Sequence, residues 1–250
     1  MRSLSFALIA ILALAGGNAL ALDIAALNAT LASAPGRPAA DQDTDRQRKP
    51  AEVMDFFGIE PGMTVIDLIA AAGYTTEVLA HAVGPRGKVY MQNSPASLTG
   101  ERGERTAAAI DARLAGNRLP NVERLNAEVS ALGLPDDSLD AAVISLEFHE
   151  LYRSSNPNAV AEFLAEMRRV LKPGGILGVI DHAGHPMYDN GQLHRAQEVN
   201  VVRDAQAAGF VVQASSRLLR NPNDDRSKGV FDASLRGDTD RFVLRMVTHR

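Results

Sequence analysis

The chain has 250 residues, 46% hydrophobic and 22% charged, which is enough apolar content for a domain core and excludes a wholly disordered chain. Lys and Arg number 26 against 30 Asp and Glu, so no basic excess points to nucleic acid as a partner. Cysteine is absent, which removes disulfides, thiolate metal sites and a cysteine nucleophile together.

The chain opens on an export-signal pattern. Met1 and Arg2 precede the apolar run Leu4 to Ala15, Gly16-Gly17-Asn18 breaks it, and Ala19 and Ala21 stand at −3 and −1 of a cleavage site before Leu22. The run is shorter than the roughly 20 apolar residues of a spanning helix. Residues 1–21 are therefore expected to be a signal peptide, with no stable membrane insertion after cleavage and a periplasmic or secreted product. Residues 22–49, with the turn-prone Ala34-Pro35-Gly36-Arg37-Pro38, are expected to form an N-terminal arm draped over the domain, its charge-rich run Asp41 to Lys49 solvated. Residues 50–250 form the domain proper.

Pro50 is placed to open a helix that Gly58 stops. Met63 to Ile69 reads as a buried strand, Tyr74 to Val83 as a helix, Lys88 to Gln92 as a second strand and residues 101–116 as a helix. Val122 to Asn126 and Leu139 to Leu146 give strands three and four. Val160, Phe163, Leu164, Met167, Val170 and Leu171 make one apolar helical stripe, which Lys172-Pro173-Gly174-Gly175 ends in a turn. Ile176 to Ile180 is strand five, Gln192 to Ala208 a helix opened by His194-Arg195, and Phe210 to Leu219 and Arg241 to Thr248 the last strands. Such alternation implies an α/β fold, a mostly parallel sheet with helices on both faces and ligands beyond the carboxyl ends of the strands.

Four segments in this order carry a resemblance. They are Val65-Ile66-Asp67-Leu68-Ile69-Ala70-Ala71-Ala72-Gly73-Tyr74, Leu134-Pro135-Asp136-Asp137-Ser138-Leu139-Asp140, Arg169 to Leu177, and the final strand pair after Gly209-Phe210. Together they resemble class I S-adenosylmethionine (SAM)-dependent methyltransferases over about residues 50–250. With Arg48-Lys49-Pro50-Ala51-Glu52, Phe56-Phe57-Gly58 and Pro61-Gly62-Met63, the chain is similar to the exported predicted methyltransferases of bacteria. The resemblance implies a Rossmann-like seven-stranded sheet whose last strand is antiparallel, S-adenosyl-L-methionine as cofactor and a small-molecule methyl acceptor.

It also implies cofactor-binding roles for Asp67, Ala71, Gly73, Tyr74, Asn93 and Glu128. Of the family's Asp-x-Gly-x-Gly-x-Gly turn only Gly73 remains. Ala71 is accommodated at negative φ, whereas a β-branched Ile69 at positive φ is an outlier. Asn93 (or Gln92) stands where the family places the acid that grips the ribose, and Glu128 where the adenine edge would lie. A Gly73→Arg substitution is expected to abolish binding without unfolding.

His149, Asp181 and His182, at the ends of strands four and five, are the catalytic candidates, since imidazole is the natural base near neutral pH. His149, Glu150, Asp181, His182, His185 and His194 include enough donors for a metal, but their spacing matches no fixed signature and no metal site is expected. Two other readings stay open: a non-catalytic relative binding another ligand, and a His- or metal-dependent enzyme on the same scaffold.

Overall fold

The computed structural model describes residues 21–249, so the expected export signal, Ala21 apart, lies outside the described residues. The domain is an α/β sandwich about one seven-stranded sheet of order β3-β2-β1-β4-β5-β7-β6. The strands are β1 Thr64–Leu68, β2 Lys88–Asn93, β3 Val122–Asn126, β4 Leu139–Ser145, β5 Leu171–His182, β6 Phe210–Ser216 and β7 Arg241–Thr248. β1 to β5 are parallel, and β7 inserts antiparallel between β5 and β6.

The central strands are apolar on both faces because both are covered. Ile66, Leu68, Ala142 and Ile144 point into one core with Phe148, Phe163 and Met167, while Val65, Ala141 and Val143 point into the other with Val53, Phe57 and Leu79. The helices are α1 Ile24–Ser33, α2 Ala40–Arg48, α3 Pro50–Phe57, α4 Tyr74–Val83, α5 Gly100–Leu114, α6 Phe148–Arg153, α7 Ala159–Val170 and α8 Glu198–Ala207. α3 begins on Pro50 and ends on Gly58, which takes the left-handed conformation at φ 73°, as the sequence reading has it. Among the described residues no helix is long and apolar enough to cross a membrane.

Three local expectations change. Residues 22–49 contain two helices, and they are anchored rather than draped. Leu27 and Leu31 of α1 are buried in the core beside α3. In the charge-rich run Asp41 is buried, because it receives Arg113 at 2.8 Å. Lys172 to Gly175 is not a separate turn but a bulge within β5: Leu139 pairs with Leu171 and Ala141 with Ile176, and Gly174 sits at φ 76°. Finally, α8 starts at Glu198 instead of Gln192. The preceding segment is held by Arg195, whose buried guanidinium pairs with Asp224 at 2.8 and 3.1 Å and donates to the Ala183 and Lys228 carbonyls. That anchoring holds His194 at φ 55°, outside helical geometry.

Candidate functional site

The parallel strands end together, and three strained non-glycine residues lie at the ends of β1 and β4. Ile69 has φ 51°, Ala71 φ 47° and Leu146 φ 63°. Backbone of this kind persists only where its surroundings impose it, and it gathers at functional sites. Here the causes are visible. Gln92, fully buried, accepts the Ile69 N–H at 2.7 Å and donates to the Ala127 carbonyl at 2.6 Å. The Gln92 carbonyl accepts the Ala70 N–H at 2.8 Å. Asn93 donates to the Ala71 carbonyl at 3.3 Å, and Arg113 to the Ala72 carbonyl at 2.8 Å. The turn is thus fixed from behind, and Ala71 is left exposed on its open side.

Two sequence expectations are corrected by this geometry. Ala71 takes positive φ, not negative. Gln92 is spent on the turn and is not free for a ligand hydroxyl. Gly73, at φ 83°, is buried, and a Cβ there would come within 2.6 Å of Met91 Cε. Gly73→Arg would therefore strain the fold as well as the site.

Asp67, at the end of β1, is buried and accepts the Thr76 hydroxyl at 2.6 Å. Burial raises its carboxyl to about pH 7, against the lowering effects of that hydrogen bond and of the Arg48 and Arg113 charges. Tyr74 donates its hydroxyl to Asp45 at 2.8 Å, and the Arg48 guanidinium stacks 5.0 Å from its ring centre. Arg48 is the notable neighbour. Burial lowers its pKa, and it lines a void of about 20 Å³ with Tyr74, Thr75 and Ser145. Among the described residues its guanidinium makes no hydrogen bond. A largely buried cation with a ring contact but no hydrogen bond is suited to an anion.

Beyond β4 and β5 lies a titratable cluster. Asp181 is fully buried and accepts the backbone N–H of His149 at 2.6 Å and of His182 at 2.7 Å. It also meets His149 Nδ1 at 2.9 Å. Burial lowers the His149 pKa, but the bond to Asp181 and the Asp181, Glu150 and Glu147 charges outweigh it and hold the imidazole above its ordinary value. His182 is pushed well below its ordinary value, by burial first and then by the Arg241 charge. Its Nδ1 meets Thr239 Oγ1 at 2.6 Å. The structure thus joins His149 to Asp181, and places His182 with its ring centre 6.0 Å from that of His149.

Sequence reasoning passed over Glu147 as well as Arg48. Its carboxyl is raised to about pH 7, chiefly by burial, and accepts no hydrogen bond among the described residues. Its position directly after a parallel strand was the available signal. A cavity of about 300 Å³ runs from Ile69, Gln92, Ser94 and Glu128 to Glu150. Glu128 is exposed on its wall. A larger hollow of about 700 Å³ lies between α7 and α8, lined by Tyr152, Val160, Leu164 and Ala208. None of the strained turn residues lines it, whereas Ile69 lines the smaller cavity, which therefore marks the site.

Comparison with known proteins shows the family and the fold. The model of the ubiE/COQ5 methyltransferase family matches residues 43–198. The ubiquinone/menaquinone biosynthesis C-methyltransferase UbiE of Escherichia fergusonii is 27% identical over 189 residues, covering 72% of this chain and 68% of the relative. A SAM-dependent methyltransferase structure from Aquifex aeolicus superposes with a TM-score of 0.61 at 24% identity, covering 90% of this chain and 98% of that one. The [4+2]-cyclase SpnF superposes at 0.59 with 17% identity, covering 90% and 93%. These two likenesses are of fold.

Proposed function

The chain belongs to the ubiE/COQ5 methyltransferase family, the SAM-dependent enzymes its fold announces, and from that premise we propose that it methylates a carbon atom of a small exported or extracellular acceptor. The observation that carries the reading is the fixed backbone after β1 with Arg48, free of hydrogen bonds, beside it. The donor set fits the cofactor. A guanidinium suits a carboxylate, and Asn93 suits a ribose hydroxyl. Glu128 at the end of β3 suits an adenine amino group.

When bound, SAM supplies a methyl on a sulfonium that is already a leaving group, so no protein nucleophile is needed. What remains for this chain is positioning and proton removal. We assign the base to Glu147, whose carboxylate no neighbour claims. Asp181 fixes the His149 ring at the acceptor side of the cavity, and His182 holds the end of β5 through Thr239.

The carbon specificity rests on the name of the UbiE relative, and the location on the leader pattern of residues 1–21. Fractionation of expressing cells is expected to recover a shortened chain outside the cytoplasm. Calorimetric titration of the purified chain with SAM and with its demethylated product tests the main reading. Micromolar binding of both is expected, weakened at least tenfold in Asn93→Ala. A folded sample that binds neither overturns it in favour of a repurposed pocket.

A further inference from the structure

We propose that the acceptor end of the site is a binding site for a divalent transition-metal ion, held by His149 Nε2, Glu150 Oε1 and a ring nitrogen of His194. The ligand atoms of these three residues lie within 4.8 Å of one another. Glu150 Oε1 is 3.2 Å from His149 Nε2 and 2.9 Å from His194 Nδ1. Ligands about 2.1 Å from a tetrahedral zinc ion stand roughly 3.4 Å apart, so little movement is required.

The tautomer makes the case specific. Asp181 accepts two backbone N–H groups, is fully buried, and has its Oδ1 2.9 Å from His149 Nδ1. An ionised carboxylate in that position takes the Nδ1 hydrogen. The Nε2 lone pair is then turned on Glu150 Oε1, another lone-pair donor. Two acceptors facing each other at 3.2 Å are bridged by a proton or by a metal ion, and the ion would take the proton's place. A carboxylate behind a histidine whose other nitrogen faces outward is the usual outer support of a metal-ligating imidazole.

Two imidazoles and one carboxylate suit zinc or ferrous-type ions, with further positions open. Glu150 lines the 300 Å³ cavity, so those positions face the space assigned to the acceptor. The ion's use in catalysis, unlike its binding, rests on the methyltransferase reading. An enol or phenol O–H would break as its oxygen bonds the ion, the proton passing to Glu147. The electron density left on the carbon next to the C–O carbon would form the new C–C bond as the S–CH3 bond breaks, an enol closing to the ketone and a phenol losing that carbon's proton to solvent as its oxygen regains one. Arg153 is the internal rival for the carboxylate, donating from Nη1 to Glu150 Oε1 at 2.6 Å.

The test is titration of chelator-stripped full chain, purified without a polyhistidine tag, with Zn²⁺ by calorimetry and with Co²⁺ by visible absorption. One ion per chain is expected, with the intense absorption of a four- or five-coordinate cobalt. Glu150→Gln and His194→Asn should each weaken binding at least tenfold; asparagine tolerates the left-handed backbone at position 194. Arg153→Ala should tighten it, and His185→Ala leave it unchanged. Absence of binding by folded protein, or equal binding by the Glu150 and His194 variants, overturns the proposal. SAM titration of the same samples separates the two readings. Ion binding without SAM binding keeps the metal site and removes the methyltransferase role, and the reverse result does the opposite.

Discussion

Ala71 is a single methyl group in a place where the backbone asks for none. An L-residue in the left-handed region costs roughly 1–2 kcal/mol. Its φ of 47° is enforced by the hydrogen bonds of Gln92 and Asn93 around the turn, and its side chain is exposed. Ala71→Gly should therefore stabilise the fold by about 1 kcal/mol, somewhat offset by the greater freedom of glycine when unfolded. The check is a rise in denaturant midpoint at constant slope. A fall would mean that the methyl is packed and the turn unstrained. Asp67 makes an opposite kind of demand. Burial raises its folded-state value to about 7 from the ordinary 3.8, so the folded chain holds a proton that the unfolded chain releases. Stability must then fall as pH rises from about 4 to about 7, by roughly 4 kcal/mol at most. Asp67→Asn keeps an acceptor for the Thr76 hydroxyl but cannot ionise. It should be more stable than the native chain at pH 8 and no more stable at pH 4, as read by urea unfolding at the two values. An equal difference at both would remove the burial argument.

At the scale of elements, α4 is joined to α2 and α5 by charge. Glu77 of α4 is fully buried and receives both Arg113 and Arg118, and Arg113 also reaches Asp41 at 2.8 Å. Burial opposes its ionisation, but His81 and the two arginines outweigh it and lower its carboxyl to about 2. Its contribution is present above about pH 4.5 and is lost as pH falls toward 2. Glu77→Gln leaves Arg113 buried beside a neutral amide and should cost about 3–5 kcal/mol at neutral pH. The loss should shrink in acid, which a urea series against pH would show. A loss independent of pH would indicate a packing defect instead. This network also marks the boundary of what the sequence could tell. α3, α4, α7 and the seven strands were readable because their signals are local: Pro50, Gly58, a 3.6-residue stripe, runs of branched residues. Asp41 was read as solvated because its partner Arg113 is far along the chain, and Asp45 because only the fold closes it between Arg37 and Tyr74. The start of α8 was misread for the same reason, since Asp224 holds Arg195 from outside the segment. Among site residues, Asp67, Gly73, Asn93, His149 and Asp181 could be placed by strand ends. Arg48 and Glu147 matter through burial without a hydrogen-bond partner, a property that only folding creates.

Across the whole molecule, α1 packs on the face covered by α3 and α4, and α2 reaches the carboxyl side of the sheet. The Gln47 carbonyl receives Arg241 of β7 at 3.2 Å, and Lys49 donates to the Leu218 carbonyl at 3.2 Å. Pro35 is held by Arg118 at 3.0 Å. Arg48 thus enters the site from the N-terminal segment while the turn it faces belongs to β1 and α4. Binding an anion there links two parts of the molecule that are otherwise joined by packing and a few hydrogen bonds. In the free protein burial of the same guanidinium outweighs its attraction to the Tyr74 ring and to the Glu147 and Asp67 carboxylates, a net burden of about 1–3 kcal/mol. Arg48→Met fills similar volume without a charge, so the free variant should be more stable by about 1–2 kcal/mol and melt roughly 2–8 °C higher. The native chain at a SAM concentration a hundred times Kd should gain about 2.7 kcal/mol. The variant should gain little, because its affinity falls with the lost carboxylate contact. Thermal melts of both proteins with and without SAM therefore predict a crossing: the variant higher when free, the native chain higher when saturated. Two parallel pairs of curves would show that Arg48 neither burdens the fold nor holds the ligand.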